Sequence, residues 1–189
     1  MPWFRKSSLE PLAVSMSGIK LGDRLLVIGC DDTALIAALA GKAGLTGRAC
    51  MVCASAEQRI RAAKVVEGDG ALVESFDAQP TKLPFEQASF DVAVIRNLLP
   101  SLDPGSRSVT VAEVRRVIRP GGRCIVIDDA PRGGIARLIG GGRGDAGYGQ
   151  YVQAGGGAGL LQGAGFRGVR TLAEREALVF VEGVKAVLS

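Results

Sequence analysis

The stretch Leu25-Leu26-Val27-Ile28-Gly29 constrains this chain more than any other. Four apolar residues in an unbroken run are the mark of a strand buried on both faces, and such strands belong to parallel sheets covered by helices. Gly29 permits a sharp turn, because a residue without Cβ reaches backbone angles closed to others. Asp31, Asp32 and Thr33 are N-cap residue types, and Ala34 to Ala40 has the composition of a helix. Strand, glycine turn and capped helix form the ligand-binding end of a doubly wound unit, where free helix N–H groups meet an anion. Further glycines are expected in such a turn, yet Asp31 and Thr33 stand in their places. The stretch alone fits an ordinary βα turn as well as a ligand site.

The same alternation continues along the chain. Strands are expected at Arg48–Cys53, Ala71–Phe76, Phe90–Ile95 and Arg123–Asp128. Helices are expected at Ala56–Glu67, with Ser55 as N-cap, and at Ser106–Ile118. Loops fall at Asp77–Gln87 and Asn97–Asp103, and Arg119-Pro120-Gly121-Gly122 is a sharp turn in which proline ends the helix. Val169–Leu172 and Ala177–Val181 form a terminal antiparallel pair around Glu174–Glu176. Residues 133–165 hold 14 of the 27 glycines. That density predicts a mobile glycine-rich loop over 133–157, followed by a short helix ending near Leu160-Leu161. Residues 1–20 read as an N-terminal arm, and 1–189 as one domain.

Composition removes several function classes. The chain has no histidine, which excludes Ser-His-Asp and Cys-His mechanisms within it. Net charge is +4 without a dense basic tract, so no nucleic-acid partner is expected. Arg115, Arg116, Arg119 and Arg123 read as the solvated end of a helix. Cys30, Cys50, Cys53 and Cys124 lie in or beside apolar strand patterns and are expected as buried free thiols. Cys50 and Cys53 have C-x-x-C spacing, but on a strand they face opposite sides, so no metal site is expected. A reducing, cytoplasmic location follows. No apolar run is long enough to span a bilayer, and the Trp3-Phe4-Arg5-Lys6 segment is too short to anchor alone.

Four motifs in order carry a resemblance. Leu25-Leu26-Val27-Ile28-Gly29-Cys30 is similar to V-L-D-L-G-C-G-x-G. Leu83-Pro84-Phe85-Glu86-Gln87-Ala88-Ser89-Phe90-Asp91-Val92 is similar to L-P-F-x-x-x-S-F-D-V. Glu113 to Gly122 is similar to E-x-x-R-V-L-x-P-G-G, and Leu160 to Phe166 to L-L-x-x-A-G-F. Together they resemble class I S-adenosylmethionine-dependent methyltransferases, in particular the small-molecule type that includes quinone methyltransferases. The likeness covers roughly residues 21–185. It implies an α/β, Rossmann-like doubly wound fold: a seven-stranded, mostly parallel sheet with an antiparallel C-terminal hairpin.

The resemblance also implies a site. Gly29, Cys30 and Asp31 map to the turn that faces the methionine part of the cofactor. Cys53 occupies the position of an acidic residue that grips both ribose hydroxyls, and its neighbour Ala54 offers no replacement. Gln79, with Asp77 two residues earlier, maps to the adenine-amine position. Arg96 and Asn97 follow the fourth strand, where cofactor and acceptor meet. The implied activity is methyl transfer from S-adenosylmethionine to a small or lipid-like acceptor. No catalytic residue is singled out. Asp128, Asp129, Tyr148 and Tyr151 are the candidates for a base, if one is required. The altered cofactor turn also fits a non-catalytic binding or partner subunit on the same fold.

Overall fold

A computed structural model describes residues 9–129, 144–175 and 178–187. A short helix α1 (Leu9–Ser17) precedes β1 (Arg24–Ile28), α2 (Thr33–Ala43), β2 (Arg48–Cys53), α3 (Ala56–Gly68) and β3 (Glu74–Asp77). Then come β4 (Phe90–Arg96), a 3-10 turn at Leu99–Ser101, α4 (Pro104–Val117) and β5 (Ile118–Asp129). The chain closes with α5 (Gly144–Gln153), α6 (Gly156–Gly163), β6 (Arg167–Arg175) and β7 (Leu178–Val184). The sheet has seven strands in the order β3-β2-β1-β4-β5-β7-β6. β7 runs antiparallel to both β5 and β6, and the remaining pairs are parallel. Fold class and terminal hairpin are as expected from the sequence.

Strand alternation sorts the core into two layers. Leu25, Val27, Met51, Val94 and Ile125 face one side, with Leu35, Leu39, Ala62 and Val66 of α2 and α3. Leu26, Ile28, Cys50, Ile95 and Val126 face the other, with Val111, Val114, Tyr151 and Leu161 of α4, α5 and α6. Cys50 and Cys53 therefore lie in different layers, and all four cysteines are free and buried.

Three local expectations are corrected. β3 starts at Glu74 rather than Ala71, because the Ala71 N–H donates to Val66 O at the end of α3 and keeps the chain turned. The strand begins where Glu74 reaches its register partner Cys50 and meets the Arg48 side chain at 2.8 Å. The arginine run is a helix end only in part: Arg115 and Arg116 lie in the last turn of α4, but Arg119 and Arg123 lie on β5. Arg116 donates to Leu83 O and Phe85 O, Arg119 pairs with Asp91, and Arg123 donates to Gly18 O.

The expected glycine-rich loop is the third. Residues 133–143 lie outside the described residues, but Gly144–Gln153 is helical and a second helix begins at Gly156. Tertiary contacts override the poor helix propensity here. Tyr151 and Leu161 are buried, and Arg107 of α4 donates to Gly147 O. At Gly157 a Cβ would sit 3.0 Å from a Val126 methyl, so glycine is what lets α6 lie against β5.

The sequence motifs now have mechanical meanings. Glu113 accepts from the Leu83 N–H at 3.0 Å and also pairs with Arg116. Helix α4 thereby pins the Leu83-Pro84-Phe85 loop from both sides. Asp91 accepts from the backbone N–H and the guanidinium of Arg24, and from Arg119, joining the starts of β1, β4 and β5.

Candidate functional site

β1 and β4 are neighbours in the sheet, but their helices leave in opposite directions, α2 to one face and α4 to the other. This is the topological switch point, where open α/β sheets hold their ligands at the carboxyl ends of the strands. Gly29 turns the chain there with φ +97°, and a Cβ on it would sit 2.7 Å from Arg96 O. Its glycine is therefore demanded by the approach of β4. The Gly29 N–H donates to Val52 O. Cys30 is buried, Asp31 is exposed, and Asp32 caps α2 by accepting from the Leu35 N–H.

Arg96, at the end of β4, ties the crevice together. Its Nε donates to Asp32 Oδ2 at 3.1 Å and its Nη1 to Asp129 Oδ1 at 2.9 Å. Asn97, held at φ +48°, donates from Nδ2 to the other Asp129 oxygen and accepts from the Asp129 N–H. One guanidinium and one amide thus couple the head of α2 to the ends of β4 and β5. The sequence pointed to Arg96 and Asn97. It gave Asp32 only as a cap, and no short motif links positions 64 and 33 residues apart.

Beside this network lies a buried carboxyl. Asp128 is 4% exposed. Its Oδ2 accepts a short hydrogen bond from the Tyr151 hydroxyl, and its Oδ1 has no partner among the described residues. Burial pushes Asp128 up to about 6, against the lowering effects of the Tyr151 hydrogen bond and the Arg96 charge. Tyr151 is pushed above its ordinary value by burial and by the Asp128 charge. Its ring lies under the Arg107 guanidinium at 5.2 Å and edge-on to Tyr148 at 6.0 Å.

On the other side of the switch point, β2 ends in Cys53, which is 1% exposed and whose thiol is raised chiefly by burial. Its register partner on β3 is Asp77, an exposed carboxylate 3.4 Å from Arg59. Ala54 and Gln79 are exposed nearby, and the Ala78 N–H donates to Cys53 O. A cavity of about 270 Å³ opens between α2 and α3, lined by Cys30, Asp31, Thr33, Gln58 and Arg61. Another, of about 300 Å³, lies at the amino ends of the strands, between Lys20, Asp91, Arg119 and Arg123, away from the crevice. Among the described residues no group of three or more Cys, Asp or Glu is placed to hold a metal.

Residues 26–126, more than half of the chain, match the family model described as a methyltransferase domain. The chain belongs to this family. The resemblance to class I S-adenosylmethionine-dependent methyltransferases is thereby borne out, and membership implies that cofactor. The methyltransferase chain is 30% identical over 125 residues to the chloroplastic 2-phytyl-1,4-beta-naphthoquinone methyltransferase of Arabidopsis thaliana, covering 62% of this chain and 46% of that protein. It spans less than half the length of the curated relatives it matches. Its fold is similar to a SAM-dependent methyltransferase from Aquifex aeolicus, with a TM-score of 0.76, 19% identity and coverage of 95% and 93% of the two chains. It is also similar to one chain of a structure described as the complex between the Haloferax volcanii Trm112 methyltransferase activator and the putative methyltransferase, with a TM-score of 0.69, 14% identity and coverage of 95% and 89% of the two chains.

Proposed function

We propose that this chain transfers a methyl group from S-adenosylmethionine to a small or lipid-like acceptor, in the cytoplasm. The observation that carries the reading is the switch-point crevice, whose rim presents donors and acceptors suited to each part of the cofactor. The first turn of α2 keeps N–H groups that helix geometry leaves unpartnered, which suits a carboxylate. Exposed Asp31 suits an ammonium group or a sulfonium. Asp77 lies one strand beyond the usual ribose position and replaces the carboxylate that Cys53 lacks. Gln79 offers a carbonyl to an adenine amine. Arg96 and Asn97 close the crevice on the acceptor side. The residues present fit the group.

Bound there, S-adenosylmethionine supplies an electrophilic methyl carbon on a sulfonium. The protein's part is to align donor and acceptor and to exclude water, which is where most of the rate gain of such a displacement arises. A quinol-like acceptor is favoured by the naphthoquinone methyltransferase likeness. A second reading, a non-catalytic partner subunit, is favoured by the buried Cys53 and by the activator complex among the fold's neighbours.

Calorimetric titration with S-adenosylmethionine and with its demethylated product tests the choice. Saturable binding of both is expected. No heat from either overturns the enzyme reading and leaves the partner-subunit one.

A further inference from the structure

Sequence spacing pairs Cys50 with Cys53, but the fold pairs Cys53 with Cys30. β1 and β2 are parallel neighbours, and Ile28 stands opposite Val52 where they end. One residue further on, Gly29 faces Cys53, and Cys30 follows it. The Gly29 N–H donates to Val52 O and holds the two strand ends together. Cys30 and Cys53 lie in the same core layer, on the side of α2 and α3, while Cys50 and Cys124 lie in the other. The Cys53 thiol donates a hydrogen bond to the Cys30 sulfur. Adjacent strands lie about 4.8 Å apart, inside the roughly 4.4–6.8 Å between Cα atoms that a disulfide spans. Both side chains are buried, but Cys30 lines the cavity of about 270 Å³ between α2 and α3. That volume is ample for an oxidant little larger than water.

We propose that Cys30 and Cys53 form a dithiol oxidation site, closed to a disulfide by hydrogen peroxide, that controls the cofactor crevice. The control rests on the proposed cofactor reading; the disulfide itself does not. In the first step the Cys30 thiolate bonds to one peroxide oxygen and the O–O bond breaks. The departing hydroxide takes up a proton as water, and Cys30 is left as a sulfenic acid. The Cys53 sulfur then bonds to the Cys30 sulfur and the Cys30 S–O bond breaks. That oxygen leaves as water with the Cys53 proton. Two thiols lose two electrons and two protons, and one peroxide becomes two waters. Burial and Asp31 raise the Cys30 thiol, while the Cys53 hydrogen bond and Arg61 of α3 favour its thiolate. Burial and the Cys30 contact raise Cys53, against Arg59 of α3, so Cys30 attacks and Cys53 resolves. The thiolate is the nucleophile, so the reaction is slow at neutral pH and quickens as pH rises. The new bond draws the Gly29-Cys30 turn onto the end of β2. It thereby narrows the crevice between the positions that face the methionine and ribose parts of the cofactor.

The test treats the full chain with hydrogen peroxide at pH 7 and pH 9, in native buffer and in urea. Thiols are then mapped by mass spectrometry after alkylation and trypsin. A cross-link between peptides 25–42 and 49–59 is expected in native buffer, with fragmentation placing it on Cys53 rather than Cys50. It should form faster at pH 9, and dithiothreitol should restore both thiols. Cys30→Ser should leave Cys53 reduced, whereas Cys53→Ser should leave Cys30 as a sulfenic acid that dimedone traps. Calorimetric titration with S-adenosylhomocysteine should show an affinity at least tenfold lower after cross-linking. A native chain in which peroxide links Cys30 to Cys53 at neither pH, or links them only in urea, overturns the oxidation site. Equal S-adenosylhomocysteine affinity before and after cross-linking overturns the control. A reduced chain that binds no S-adenosylhomocysteine overturns the cofactor reading instead, and the cross-link then decides for or against the oxidation site alone.

Discussion

Cys53 and Asp77 are register partners at the carboxyl ends of β2 and β3, one buried and the other exposed. On the proposed cofactor reading, Asp77 supplies from the neighbouring strand the carboxylate that position 53 lacks. Asp77→Asn should weaken S-adenosylmethionine binding by roughly tenfold, the worth of one hydrogen bond to a charged group. Calorimetric titration checks it. Cys53→Asp, by contrast, places a carboxylate in a core position and beside Asp77. It should lower the melting temperature by several degrees, since an unpaired buried charge is costly.

Gly29 and Arg96 are coupled through the backbone. Gly29→Ala needs φ near +97° and brings a Cβ to 2.7 Å from Arg96 O. A loss of about 1–3 kcal/mol is expected from the dihedral strain, with more from the clash. Urea unfolding measures it. A loss below 0.5 kcal/mol would show that β4 yields.

Much of the fold was legible because local and tertiary signals agree. β1, β2 and β4 each carry an unbroken apolar run of four or five residues, and Ser55 and Asp32 do cap α3 and α2. Legibility failed where long-range contacts decide. The glycines of α5 and α6 argue against helix, yet Tyr151, Leu161 and the Arg107 hydrogen bonds hold those helices in place. Arg119 and Arg123, just after α4, look like part of a solvated helix end, yet Arg119 reaches Asp91 28 residues away and Arg123 reaches Gly18 105 residues away. In the site, Arg96 could be placed by its position after a strand. That it holds Asp32 and Asp129 together could not, because three separate chain segments meet there.

Asp91 should govern part of the acid stability. Burial opposes its ionisation, but hydrogen bonds from Arg24 and Arg119 prevail and hold its carboxyl well below the usual carboxylate range. The folded value lies below the unfolded one, so the stabilisation is present above the unfolded value of 3.8 and fades as pH falls below it. Asp91→Asn should therefore destabilise the protein at pH 7 by about 2–3 kcal/mol, as for a lost set of charged hydrogen bonds. The difference from wild type should shrink below pH 3, as followed by circular dichroism.

Arg116 bridges α4 to the loop carrying Leu83 and Phe85. Arg116→Ala removes the bonds to Leu83 O and Phe85 O and leaves Glu113 without its cation. Hydrogen exchange at the Leu83 amide, which donates to Glu113, should quicken roughly tenfold or more, corresponding to about 1.4 kcal/mol of local opening energy. Unchanged protection at Leu83 would show that Glu113 holds the loop alone.

Asp128 has the opposite sign from Asp91. Its folded value, about 6, lies above the ordinary 3.8, because burial penalises the charged form. The folded state therefore binds more protons than the unfolded state between these two values. Stability is full below pH 4, declines as pH rises through 6, and is level above it. The loss is about 3 kcal/mol at 1.36 kcal/mol per pH unit. Asp128→Asn keeps the shape and can still accept from Tyr151, but it carries no charge at any pH. It should abolish the decline between pH 4 and 6 and make the protein more stable than wild type at pH 7.5. Chemical unfolding at pH 4, 5, 6 and 7.5 measures both effects. Parallel wild-type and Asp128→Asn curves across that range would show that Asp128 does not titrate there.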